Sequence, residues 1–431
     1  MSRILKVIVC ILIIFSTQWA GSAEGGNLSV REGELYLPRE VIVKLNQVSD
    51  LGPIAEKYGL DPRPICQWGT RPIYRLRITS NATVLQTIAA LLNDSEQRVI
   101  YADPNYVVRL PVSSGEVGSI GNSWSIGNSW SIGGSEKGYM RQWFPKTIHL
   151  EEAHKVTRGE GVRIAVLDTG VDLTHPALAG HLLPGYDVVN YDYDPSEVGV
   201  PHEGAYGHGT HVAGLIAMVA PEAKIIPVRV LDQNGVGNVW VLAEGLAYAV
   251  NPDRDVRTRD GANIINLSLG TLERTELLSN LLEAETNDGT KPDNDDFPSI
   301  GHPGVIVVAG AGNSGDTTLH YPAAENVEGL IAVGASTSAD RLADFSTRGD
   351  WVKVVAPGDR IVSTIPGGRY GMWRGTSMST PIVSGIAALV RTAFPTLKPK
   401  NVLAHIAQTS VTIPGPVPRR VDAQRAVTIA P

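Results

Sequence analysis

Apolar positions follow two different rhythms along this chain. Between Glu24 and Leu110 they alternate with polar ones in short stretches. Glu40-Val41-Ile42-Val43-Lys44-Leu45 reads as a strand, and Ile73-Tyr74-Arg75-Leu76-Arg77-Ile78 alternates as a half-buried strand does. Ser49 to Tyr58 predicts a short helix with Ser49 as its N-cap, and Thr83 to Leu92 an apolar-faced helix. Val99 to Tyr101 and Tyr106 to Leu110 predict two strands around a turn at Asp103-Pro104-Asn105. The pattern describes a small α+β domain of ferredoxin-like type over residues 24–110.

From about Arg141 to Pro431 the apolar residues come in unbroken runs: Val162 to Leu167, Ile225 to Val230, Asn263 to Leu267, Val305 to Ala309 and Leu330 to Val333. Such runs suit parallel strands buried on both faces. Helical patterns lie between and after them, at His208 to Met218, Val239 to Val250, Glu273 to Glu285 and Ser377 to Phe394. This alternation predicts a three-layer α/β domain with a mostly parallel sheet over residues 141–431. A charged insertion, Asp253 to Asp260, precedes the strand at Asn263, and the acidic stretch Asn287 to Asp296 reads as a solvated loop.

Residues 111–140 read as a linker. Ser119-Ile120-Gly121-Asn122-Ser123-Trp124 repeats at once as Ser125 to Trp130, and a degraded third copy begins at Ser131. The unit is too short and too rich in Gly and Ser to build a solenoid, so it predicts a flexible connector. Residues 1–23 read as a secretory signal: Arg3 and Lys6, an apolar run from Val7 to Phe15, then Gly21-Ser22-Ala23. The run is shorter than the roughly 20 apolar residues of a spanning helix, so no stable membrane association is expected after cleavage.

Composition narrows the partners. Of 431 residues, 43% are hydrophobic and 19% charged, which excludes a disordered chain. A net charge of −7 without a polybasic run argues against nucleic acid. The two cysteines are Cys10, in the signal, and Cys66, so no intrachain disulfide supports the region after residue 140.

In parallel α/β sheets, sites form at the carboxyl ends of strands. Asp168 ends the strand Val162 to Leu167, and His208 begins a helix within Gly207-His208-Gly209-Thr210-His211-Val212-Ala213-Gly214. Asn313 follows the strand Val305 to Ala309 through Gly310-Ala311-Gly312, and Ser377 starts a helix in Gly375-Thr376-Ser377-Met378-Ser379-Thr380-Pro381. These residue types make a complete acyl-transfer set. A serine hydroxyl needs an imidazole to take its proton, and the imidazole needs a carboxylate to fix its tautomer. The oxyanion needs donors set in advance, which the Asn313 side chain and the Ser377 backbone N–H can supply.

On these motifs, from about Arg141 to Val427, the chain resembles the subtilisin-like (subtilase) serine proteases, which share the chain order Asp, His, Ser. The resemblance implies a secreted endopeptidase acting through an acyl-enzyme on Ser377, with His208 as general base and acid and Asp168 orienting it. It implies that Ser268-Leu269-Gly270 and Gly310-Ala311-Gly312 wall the pocket for the residue preceding the cut bond, and that Gly235-Val236-Gly237 flanks the substrate on its other side. An extended peptide would be held there by strand addition. The glycine-lined pocket would be roomy and tolerant of large apolar side chains. Residues 24–110 resemble the family's inhibitory propeptide, with Tyr101 to Tyr106 similar to its last strand, so an autoinhibited, monomeric precursor is expected. Its partners would be protein and peptide substrates and its own propeptide.

The chain departs from the family pattern after the His motif, where an Asn-rich calcium loop has no counterpart: Ala217-Met218-Val219 runs straight into Ala220-Pro221-Glu222. The chemistry implies no cofactor. A structural calcium ion stays open; Asp293, Asp295 and Asp296 match no calcium-loop spacing. His211, three residues from His208, lacks the carboxylate partner of a zinc site. Asp172 reads as a turn or capping residue, Ser379 as a hydroxyl two residues into the helix, and His175, His181 and His202 as surface residues. The alternatives are a peptide-binding protein that has lost turnover, and an α/β-hydrolase, which lacks its Gly-x-Ser-x-Gly elbow here.

Overall fold

Strands whose residues are apolar on both sides must be covered on both faces, and here alternate residues of each strand go to opposite cores. Ile164 and Val166 of β5 (Arg163–Asp168) face one core while Ala165 and Leu167 face the other. The same split recurs in β9 (Ile264–Leu267), β10 (Ile306–Gly310) and β11 (Leu330–Ser336). Helices His208–Val219 and Thr376–Ala393 cover one face, and helices Val239–Val250 and Glu276–Thr286 the other. The result is the expected three-layer α/β domain.

This computed structural model describes residues 34–111, 135–200, 205–253, 258, 260–287, 304–417 and 419–431. The signal (1–23), the Ser-Ile-Gly-Asn-Ser-Trp repeat, His202, and Asp293, Asp295 and Asp296 lie outside the described residues. Among those described, no helix is long and apolar enough to cross a membrane.

The large sheet adds β6 (Tyr186–Asp187), β7 (Lys224–Arg229), β12 (Val352–Pro357), β15 (Val411–Thr412) and β16 (Arg419–Arg420). Its order is β15-β16-β12-β11-β10-β9-β5-β7-β6. Every pairing is parallel except β15 with β16. A hairpin not expected from the sequence, β13 (Ile361–Ile365) with β14 (Arg369–Trp373), packs over the helix that begins at His208.

The N-terminal domain has β1 (Tyr36–Leu45), helix Leu51–Tyr58, β2 (Cys66–Gln67), β3 (Ile73–Arg77), helix Val84–Leu92 and β4 (Val99–Arg109). It has its own core, including Val41, Val43, Ile54, Leu76, Ile88 and Leu91. The first helix is entered through a 3-10 turn, and Gln47 rather than Ser49 closes it, with the Gln47 N–H donating to Asp50 Oδ2 at 3.1 Å. The two strands expected around Asp103-Pro104-Asn105 are one strand, because Pro104 sits opposite Val41 beside a register shift, where its missing N–H breaks little. The flanking polar side chains serve the other domain instead. Asp103 Oδ2 accepts from the Glu276 N–H at 2.9 Å, and Asn105 Oδ1 from the Trp240 N–H at 3.2 Å. Both N–H groups belong to first turns of helices. The helix expected from Glu273 therefore starts at Glu276, after the N-cap Thr275.

Residues 135–140, expected within the linker, form a helical turn, Glu136–Met140. Its buried Tyr139 donates its hydroxyl to the Gly214 carbonyl at 2.6 Å.

Candidate active site

Asp168 is the last residue of β5 and is fully buried. Its Oδ1 accepts from its neighbour's backbone, the Thr169 N–H, at 2.8 Å and lies 2.7 Å from His208 Nδ1. His208 is also buried and is the first residue of its helix. That close meeting of helix start and strand end requires glycine at two positions. Gly207 has φ +90, and a Cβ on Gly209 would lie 2.1 Å from the Gly170 carbonyl oxygen and 3.1 Å from Asp168 Cβ.

Ser377 is buried in the first turn of helix Thr376–Ala393, behind Gly375 with φ +151. Pro381 stands four residues further on and has no N–H to give to the Ser377 carbonyl. The Ser268 hydroxyl donates to that carbonyl instead, at 3.0 Å. Asn266 Nδ2 donates to Ser268 Oγ at 3.1 Å, and Ser384 Oγ to Asn266 Oδ1 at 2.9 Å. This buried polar chain fixes the first turn of the serine helix onto the end of β9. The Ser377 hydroxyl itself donates to the Ser268 carbonyl at 3.3 Å.

Asn313 follows β10, the neighbour of β9 in the sheet. Its Oδ1 accepts from both the Thr376 N–H, at 2.9 Å, and the Thr376 hydroxyl, at 3.0 Å. With its oxygen tied to the serine helix, the amide presents Nδ2 to the cleft, where it donates to the Pro111 carbonyl at 3.0 Å.

The cleft holds the chain's own residues 107–111. Val107, Val108 and Arg109 pair antiparallel with Asn238, Gly237 and Val236 of β8 (Val236–Asn238). On the opposite side Arg109 and Gly270 exchange both backbone hydrogen bonds, at 2.8 and 2.9 Å. The Leu110 N–H donates to the Gly235 carbonyl at 3.2 Å. Gly235 and Gly270 are glycines for steric reasons: a Cβ on the first would lie 2.9 Å from Leu110 Cδ1, and on the second 2.7 Å from the Tyr321 carbonyl. A pocket of about 180 Å3 opens beside Pro111, with Leu269, Gly270, Gly310 and His320 in its wall. His320 crowds Gly312, where an added Cβ would lie 2.4 Å from the imidazole, so this wall is not formed by small residues alone. Ala311 is buried in a small core with Val352 and Val355.

The remaining sequence candidates take structural places. Asp172 Oδ1 accepts from the Thr174 N–H at 2.9 Å, and Asp172 Oδ2 from the Gly367 N–H at 2.8 Å. The Ser379 hydroxyl donates to the Ala356 carbonyl at 2.8 Å, away from the cleft. His175, expected at the surface, is buried: its Nδ1 accepts from the Ala177 N–H at 3.1 Å and its Nε2 meets the Arg369 carbonyl at 2.9 Å. His181 is half-buried, and burial pushes its imidazole below the ordinary value. His211 is buried with Nε2 3.2 Å from the Gly371 carbonyl, and burial pushes its imidazole down to about 3. Among the described residues no group of three His, Cys, Asp or Glu side chains is placed to hold a metal ion.

Several residues at the site carried no signal that the motif reading used. Glu197 Oε2 accepts from the Thr210 hydroxyl at 2.9 Å, and burial, with Asp168 nearby, pushes its carboxyl up to about 7. Thr376, Asn266 and Ser384 hold Asn313 and Ser377, and Trp373 lies against His208. Only the Pro381 spacing could have announced the support beneath Ser377.

A model of the Subtilase family of peptidases matches residues 159–426. The chain is 43% identical over 265 residues to the thermophilic serine proteinase of Bacillus sp. (strain AK1), across 59% of this chain and 58% of that protein's length. It is 36% identical over 301 residues to thermitase of Thermoactinomyces vulgaris, across 67% of this chain and 96% of thermitase. The crystal structure of fervidolysin from Fervidobacterium pennivorans, described as a keratinolytic enzyme related to subtilisin, superposes with a TM-score of 0.70 at 24% identity. It covers 93% of this chain and 62% of that one, and it speaks for the fold alone. With this match across well over half its length, the chain belongs to the subtilase family.

Proposed function

We propose that the chain is the autoinhibited precursor of a secreted serine endopeptidase. The observation that carries this reading is the Asn313 amide, which donates to the carbonyl of a backbone held as an added strand, at the end of the sheet where Asp168, His208 and Ser377 also lie. In the proposed reaction Ser377 Oγ attacks the carbonyl carbon of an extended substrate, and its proton passes to His208 Nε2. Asp168 holds Nδ1 and stabilises the imidazolium. Asn313 Nδ2 and the Ser377 N–H receive the oxyanion. The C–N bond breaks as His208 returns the proton to the departing amine, leaving an ester on Ser377. Water then attacks the ester and gives His208 a proton, which returns to Ser377 Oγ as the C–O bond breaks. Ser377, His208 and water account for every proton and electron pair, so these steps draw on no cofactor.

Substrates would enter as segment 107–111 does, between Gly235-Val236-Gly237 and Ser268-Leu269-Gly270, with the side chain before the cut bond directed at Gly310-Ala311-Gly312. The N-terminal domain would keep the cleft filled until a bond beyond Leu110 is cut. Its seating on the Trp240 and Glu276 helix starts supports that role. The pattern of residues 1–23 supports export.

A fluorophosphonate probe tests the chemistry. The processed protein should take up one label, and Ser377→Ala none; equal labelling of both would end the proposal. For maturation, Ser377→Ala expressed in a protease-free host should accumulate the long form, and mature-size protein from that variant would contradict self-processing.

A further inference from the structure

The hairpin β13–β14 ends in a buried tryptophan whose indole lies against the imidazole of His208. The ring centroids of Trp373 and His208 are 5.6 Å apart and their planes are 24° from parallel. The same indole stacks on His211, at 4.8 Å and 5°. His211 is in turn fixed by its Nε2 at the Gly371 carbonyl, on the strand that carries Trp373. Three aromatic rings are thus packed in register, two on one helix and one on the hairpin, and each limits rotation of the others.

We infer that Trp373 is a positioning residue for His208, fixing the plane of its imidazole and lending its electron-rich face to the imidazolium formed during the reaction. The inference rests on the endopeptidase reading given above. The Asp168 contact restrains Nδ1 at 2.7 Å, and a hydrogen bond at that atom lies in the plane of the ring rather than along its face. A flat partner along the imidazole face restrains the ring there. An indole is also the strongest of the aromatic faces for a cation, more so when water is excluded. His211 suits the outer place in this stack: burial holds its imidazole down to about 3, so it stays neutral and does not repel a charged His208.

The other groups around the pair are Asp168, bonded to His208, and Glu197, held through Thr210 on the His208 helix. Asp172 is turned to Gly367, and Arg374, next to Trp373, lies over the Phe345 ring at 5.8 Å. Glu197 titrates in the range where a His-dependent rate also changes. Profiles are therefore recorded in both the native and the Glu197→Gln backgrounds.

Trp373→Leu should lower kcat/KM about tenfold and move the acid limb of its pH profile down by about half a unit to one unit, since the protonated imidazole loses a favourable face. Trp373→Phe should recover most of the rate and most of the shift. An acid limb that stays in place in Trp373→Leu overturns the inference, whatever happens to the rate.

A second measurement does not depend on turnover. In full-length Ser377→Ala protein, tryptophan emission should fall as His208 takes a proton, because an imidazolium quenches an adjacent indole. The inflection should vanish in Ser377→Ala/Trp373→Phe. Equal inflections in the two proteins, or none in either, overturn the stack. If Trp373→Leu does not fold, this titration and the Trp373→Phe profile decide the matter. If the native protein proves inactive, the endopeptidase reading fails while the emission experiment still reads the stack.

Discussion

The side-chain amide of Asn313 donates to the carbonyl oxygen of Pro111 at 3.0 Å, so a proline carbonyl meets the amide proposed to receive the oxyanion. Proline has no N–H. The Ser268 carbonyl receives the Ser377 hydroxyl at 3.3 Å. The segment is seated by its backbone on both sides, while its last residue brings no backbone donor. Pro111→Ala should therefore speed cleavage of the bond after residue 111, read by mass spectrometry of the released domain over time. An unchanged rate and product would show that the missing donor does not matter.

Asn313→Leu removes the proposed oxyanion donor but keeps the side-chain size. It also deprives the Thr376 N–H and hydroxyl of their acceptor, so the helix start should loosen as well. kcat should fall by about 10²–10³-fold, the range given for the loss of one such donor in subtilisin. Steady-state kinetics on a peptide substrate, with circular dichroism to verify folding, checks this.

Burial at the domain contact pushes the Asp103 carboxyl up to about 6, from 3.8. The seated form therefore binds a proton more tightly than the separated one. Inhibition by the N-terminal domain should be strongest below the ordinary carboxylate value, weaken as pH rises to about 6, and level off above it. The change should be on the order of a hundredfold at most, since the helix start that Asp103 faces favours its charged form. Inhibition constants measured from pH 4 to 8 should show this slope, and Asp103→Asn should flatten it.

His320 sets one boundary of the pocket beside Pro111. Its half-buried imidazole is pushed below the ordinary value by burial, and its Nε2 meets no hydrogen-bond partner among the described residues. His320→Ala should favour aromatic over small side chains before the cut bond, raising that kcat/KM ratio several-fold. A peptide series varied at that one position measures it, and an unchanged ratio would place the boundary elsewhere.

The sequence shows where the candidate site residues stand because each falls at a change of rhythm. Asp168 and Asn313 follow apolar strands, while His208 and Ser377 open helices next to glycines, and local pattern is enough to see that. The three-layer fold follows from the same unbroken apolar runs. What local pattern cannot show is contact between distant segments. Asp103-Pro104-Asn105 has turn composition, yet it continues a strand because helix starts more than a hundred residues away take its side chains. Trp373 reads as one more apolar residue, and only the folded hairpin lays it on His208. His175 has a surface composition around it but is enclosed by Arg369 and Tyr370 of that hairpin.

The grip on segment 107–111 comes largely from main-chain atoms of Gly235, Gly237 and Gly270. A cleft built this way asks little of sequence and much of shape: whatever enters must first lie straight. A well-folded domain meets that demand only by unravelling a short length locally, at a free-energy cost that differs widely from region to region. On this reading the enzyme would sort its targets by how readily they loosen, and proteins already damaged or half-melted would be the first consumed.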